Sequence, residues 1–187
     1  QDLGVNLDGA QRRRGVRREV WVAGAGHEDG HPALLEVADG APADTFVWLD
    51  VPTPDEAAAE ALRGVFDCHE LAIRDALRRN RVPRVHVYRD HVFVILHSPH
   101  LGAAGHVHYI ELDQFIGEKY LITVHGPVNV KVPEDVAQRE VDAVLVRMAA
   151  GRVMPRTPHE LAYAITSTIG RSRSHSANAP TTARTPR

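Results

Sequence analysis

Val107-His108-Tyr109-Ile110-Glu111-Leu112-Asp113-Gln114-Phe115 and, past a Gly117-Glu118 turn, Tyr120-Leu121-Ile122-Thr123-Val124 decide the fold. Both stretches are rich in β-branched and aromatic residues, which fit a pleated, half-buried surface. The connection between them is too short for a crossover, so they are predicted to lie antiparallel and adjacent. Upstream, Val85 to Tyr88 and Val92 to Leu96 repeat the arrangement around a tight Arg89-Asp90 connection. The whole stretch therefore reads as an antiparallel meander.

Working outward, Phe46-Val47-Trp48-Leu49-Asp50 is a continuous apolar run ending at Pro52, the kind expected in a strand covered on both faces. Val20-Trp21-Val22 reads as a shorter strand, and Gly24-Ala25-Gly26 as a turn rather than a dinucleotide fingerprint. Thr53-Pro54-Asp55-Glu56 announces a helix, with Thr53 as the cap, Pro54 in the first turn and Glu56 completing a capping box. Ala58, Ala61, Leu62, Val65 and Phe66 then give it one apolar face. A second helix is predicted over residues 69–80, turning Leu71, Ile73 and Leu77 to a core, and Pro83 closes the region. Beyond the meander, Ala137, Val141, Val144, Leu145 and Met148 mark the buried side of a long helix that stops at Gly151. Thr157-Pro158-His159-Glu160 repeats the capping signature before a last helix through Leu161, Ile165 and Ile169. This order predicts an α+β fold: an α/β/α layered domain with a mixed, largely antiparallel sheet flanked by helices.

The domain is expected over residues 19–170. Residues 1–18 carry Arg12, Arg13, Arg14, Arg17 and Arg18 with little to bury, and residues 171–187 hold no large apolar side chain, so both read as disordered arms. Of the 187 residues 43% are hydrophobic and 25% charged, an ordinary globular balance, and the net charge of -2 offers no bulk field for nucleic acid. One cysteine, Cys68, excludes an intramolecular disulfide and fits a reducing compartment. No stretch reaches the roughly 18 apolar residues of a membrane helix, and no signal-peptide core is readable. The chain is expected to be soluble, and its first residue, Gln1, is what a fragment would show.

Chemistry-bearing residues are few. His97, His100, His106 and His108 surround one predicted hairpin, and zinc or copper would accept them if three converged. Without a cysteine pair, exposed loop histidines are the simpler reading. Cys68-His69 places a thiol at a helix start, where its pKa falls, but adjacent residues seldom orient a nucleophile and its base toward each other. Ser98 lacks the elbow of a hydrolase nucleophile. Asp67, Glu70 and Asp75 lie on or beside the second helix among Arg74, Arg78 and Arg79. They read as surface ion pairs or, for Asp75, as one oxygen ligand for a hard cation such as Mg²⁺. No enzyme emerges.

The order of these segments resembles the N-terminal cytoplasmic domain of the CorA family of magnesium and related divalent-cation transporters. The resemblance rests on Val47-Trp48-Leu49-Asp50, Val65 through Leu77, Arg81-Val82-Pro83-Arg84-Val85, Tyr88 through Leu96, Leu112 through His125, and Glu160 through Ile165, and covers roughly residues 46–170. It implies a soluble regulatory domain at the cytoplasmic face of the membrane that senses the cation. It implies a homopentamer, with a stalk helix leading to membrane helices and a Gly-Met-Asn pore mouth, and Mg²⁺ bound between neighbouring domains to hold the pore closed. A family sensor carboxylate sits in a Leu-Glu-Asp step on the second helix. Here the step reads Ile73-Arg74-Asp75, so the resemblance carries the metal role to Asp75 alone, and Arg74 in place of the acidic neighbour should weaken any second metal site there. The chain departs after Ile165, where Arg171-Ser172-Arg173-Ser174 replaces the stalk and no Gly-Met-Asn follows. It is thus expected to bind Mg²⁺ weakly and not to transport alone. The rival reading is a free-standing metal-binding sensor built on the histidine hairpin.

Overall fold

The computed structural model describes residues 20–24, 46–102 and 105–169, so the arms expected at 1–18 and 171–187 lie outside the described residues. The elements run β1 (Val20–Gly24), β2 (Phe46–Val51), α1 (Glu56–Gly64), α2 (Glu70–Ala76), β3 (Arg84–Val87), β4 (His91–Leu101), β5 (Val107–Gly117), β6 (Tyr120–His125), α3 (Glu134–Ala149) and α4 (Pro158–Ile169). They form the expected layers around one six-stranded sheet of order β1-β2-β6-β5-β4-β3. The meander holds: β3 to β6 pair antiparallel in sequence. β2 inserts parallel beside β6, and β1 adds parallel to β2.

The two faces of the sheet bury different side chains because strand residues alternate. Under α1 and α2 lie Leu49, Phe93, Ile95, Phe115, Ile122 and Val124, with Leu62 and Ile73 from the helices. Under α3 and α4 lie Trp48, Leu112 and Leu121, with Val141, Val144, Leu161 and Ile165 from the helices. β2 serves both faces, which explains its unbroken apolar run.

Helix ends depart from the sequence reading in instructive ways. The cap of α1 is Asp55, not Thr53: its carboxylate accepts the Ala58 N–H at 2.8 Å. A carboxylate next to the first helical turn outcompetes a hydroxyl two residues upstream, since it also meets the positive end of the helix dipole. α2 ends at Ala76, short of Asn80, because the Asn80 amide donates to the carbonyls of Asp75 and Arg78 and closes the chain there. Leu71, expected in the core, is instead 47% exposed, while Ala72 and Ala76 lie fully buried against the sheet. α3 stops where Gly151 predicts. Gly151 takes φ 67°, its N–H bonds Met148 and the Arg152 N–H bonds Arg147, the paired bonds of a Schellman cap. At α4, Thr157 accepts the Glu160 N–H while the Glu160 carboxylate turns back to the Arg156 N–H, one residue earlier than a capping box requires.

β4 runs to Leu101, well past the expected Leu96. Pairing with β3 ends at Ile95, so the rest of β4 has a free edge among the described residues. Pro99 sits on that edge, where a missing N–H costs least.

Candidate functional site

Asp75 lies near the C-terminus of α2, its side chain 24% exposed, with Arg74 Nη2 3.8 Å from one carboxylate oxygen. It is therefore half sunk toward the sheet rather than placed among solvated arginines. Behind it, β5 contributes two further carboxylates on the same sheet face. Glu111 is buried and accepts both the backbone N–H of Asn80 at 2.8 Å and its side-chain amide at 2.7 Å. His97 Nε2 stands 4.0 Å from the same carboxylate. The chain comes very close here: a Cβ on Gly126 would lie 2.6 Å from that of Glu111. Asp113 is fully buried, and neither carboxyl oxygen has a hydrogen-bond partner among the described residues. Burial, then the charges of Glu111 and Asp75, push its pKa up to about 9, so it is a neutral acid at pH 7.

Sequence reasoning passed over Glu111, Asp113 and Asn80. The signal was present: Glu111 and Asp113 share the parity of Phe115, which places both carboxylates on a covered face of a central strand.

The histidine hairpin comes apart by the same alternation. His97 faces Glu111 on the α1/α2 side, whereas His100 stands opposite His108 across the strand pair and meets Arg139 of α3. His97 and His100 are strand residues, not loop residues, because β4 is longer than its apolar run. Among the described residues no cluster of three metal-ligating side chains forms.

Cys68 and His69 do not face each other. The His69 ring caps α2 by accepting the Leu71 N–H at 3.2 Å and stacks on Tyr88, centroids 4.4 Å apart. The Cys68 thiol is buried 3.8 Å from the Tyr120 hydroxyl, and burial pushes its pKa up to about 12. That is the reverse of an activated thiolate. Ser98 donates to Glu140 of α3 at 2.6 Å, and Thr168 of α4 donates to the other Glu140 oxygen at 2.7 Å. This buried bridge ties β4, α3 and α4 together.

On the α3/α4 side of the sheet a second polar chain spans β2, β6 and α3. Trp48 Nε1–H donates to Thr123 Oγ1 at 3.1 Å, and the Thr123 hydroxyl donates to Asp50. His125 Nε2 donates to the same Asp50 oxygen at 3.0 Å, and its Nδ1 stands 3.2 Å from the Ala137 carbonyl.

The family sequence model described as CorA-like Mg2+ transporter protein matches residues 43–171. The chain belongs to this family. The fold agrees. The full-length CmaX protein superposes with a TM-score of 0.52 at 18% identity, over 67% of this chain and 36% of that one. The complete CorA magnesium transporter of Methanocaldococcus jannaschii superposes with a TM-score of 0.52 at 21% identity, over 68% of this chain and 38% of that one. This CorA-family chain thus spans little more than a third of either structure. No curated protein matches it. Among the described residues no helix is long and apolar enough to cross a membrane.

Proposed function

We propose that this CorA-family chain is the cation-sensing regulatory domain of a divalent-cation transporter, held at the cytoplasmic face of the membrane and acting by binding and self-association rather than by catalysis. The observation that carries the reading is Asp75: a half-exposed carboxylate at the family sensor position, in front of a buried acidic pair on β5. Mg²⁺ prefers oxygen ligands, keeps most of its waters and takes one or two carboxylates, which suits a single Asp75 from one subunit and a second ligand from its neighbour. Glu111 is already held by Asn80, so Asp75 is the carboxylate with oxygens to spare. Such a site is half a site in a lone subunit. When the cation leaves, facing carboxylates repel, and an interface with two stable arrangements turns that repulsion into movement.

Calorimetry on the purified chain tests this. Mg²⁺ binding is expected to be weak or undetectable, with any residual heat lost in Asp75→Ala. A sub-micromolar Mg²⁺ affinity that survives that substitution overturns the assignment. Tight Zn²⁺ binding abolished by His106→Ala would instead establish the histidine-hairpin sensor, a reading the opposed orientations of His97 and His100 count against.

A further inference from the structure

His125 is 2% exposed, and both ring nitrogens lie against groups that only accept hydrogen bonds: the Asp50 carboxylate at 3.0 Å and the Ala137 carbonyl at 3.2 Å. A neutral imidazole has a single N–H and would press a lone pair against one of these acceptors. Only the imidazolium donates to both. We infer that His125 is a proton-operated latch, which as imidazolium pins the first turn of α3 to β2 and releases that turn on losing its proton.

The charged groups around it are few. Asp50 approaches from β2 and Asp142 from α3. Glu111 of β5 and Arg79 beyond α2 share with His125 the wall of a cavity of about 300 Å³. Burial alone lowers the pKa of the ring. The Asp50 hydrogen bond and charge, the Ala137 carbonyl and the Asp142 charge together outweigh it, and the net shift is upward. The sign follows. A raised histidine pKa contributes stability that is fully present below the unfolded value of about 6.5 and is lost as pH climbs through the folded value.

What the latch governs is local. Residues 126–133 run from His125 to the start of α3, and Pro127, Val128, Val130 and Val132 line the same cavity, with Val128 72% and Val130 94% exposed. Two bonds tie them to the rest of the described fold, the Gly126 N–H to the Glu111 carbonyl at 3.0 Å and Arg79 Nη2 to the Pro127 carbonyl at 2.6 Å. The Lys131 and Val132 N–H groups bond Asn129 inside the segment, and α3 has no side-chain cap at its N-terminus. Loss of the Ala137 contact therefore opens the cavity without disturbing the sheet. This device stands apart from the cation reading, since it shares no ligand with Asp75.

Two NMR measurements on the full chain test it. The ring nitrogen shifts of His125 should report an imidazolium up to a pH above that of the exposed histidines. Amide protection factors for residues 126–138, corrected for intrinsic exchange, should fall at least tenfold across the same titration while those of β4 to β6 stay constant. Asp50→Asn should move the transition down by a pH unit or more, and His125→Gln should remove it. A neutral His125 tautomer at pH 6 overturns the latch without any variant being needed. Protection in 126–138 that is flat through the His125 titration overturns it equally.

Discussion

Asp113 is a carboxylic acid held where a carboxylate could not be. Its folded pKa of about 9, against an ordinary value of 3.8, means the folded chain keeps a proton that the unfolded chain releases. Stability from this group is greatest below the unfolded value and falls as pH rises toward the folded one, the opposite of a salt-bridged aspartate. Asp113→Asn, neutral throughout, should flatten that slope and raise stability at pH 7 by on the order of 2 kcal/mol. Urea melts of both chains at pH 5, 7 and 9 would measure this. A variant less stable than its parent at pH 7, with the slope unchanged, would mean that Asp113 is ionised and paired. The proton also suits the neighbourhood. Glu111 and Asp75 already bring two carboxylates to that sheet face, and a third charge beside them would repel both.

The helices show where local sequence signals compete. Thr53 and Asp55 both offer a capping oxygen, and pattern reading chose the one that completed a motif with Glu56. Backbone geometry chose Asp55, whose φ of -137° is extended and whose carboxylate reaches Ala58. Asp55→Ala should therefore cost about 1 kcal/mol and Thr53→Ala only a few tenths. Equal losses in thermal melts would restore Thr53 as the cap. The sheet was more legible, because alternation and turn chemistry act within a strand and its neighbour. Phe93, Phe115 and Ile122 could be placed on one face from spacing alone. What stayed hidden depends on distant partners. The reach of β4 past Leu96 comes from its ladder with β5, and the Asn80–Glu111 and Asp50–His125 contacts join segments 31 and 75 residues apart. Composition carries no trace of such pairings.

At the scale of the whole molecule, the Glu140 carboxylate joins β4, α3 and α4. Removing it takes the acceptor from the buried Ser98 hydroxyl and leaves Thr168 with the Ile165 carbonyl at 2.6 Å, so Glu140→Ala should destabilise by about 2 kcal/mol and Glu140→Gln by distinctly less. If the two variants unfold at the same denaturant concentration, the bridge contributes nothing beyond its packing. The parallel placement of β2 has a different consequence. Trp48 pairs in register with Leu121, so the strand that fills the middle of both cores is made long before its neighbour. During synthesis, β2 leaves the ribosome with β1 as a neighbour but without β6 until Tyr120–His125 has been translated. Closing so long a loop delays the pairing. Until then Phe46–Val51 is a sticky, apolar strand on a nascent chain, a natural holding site for a chaperone.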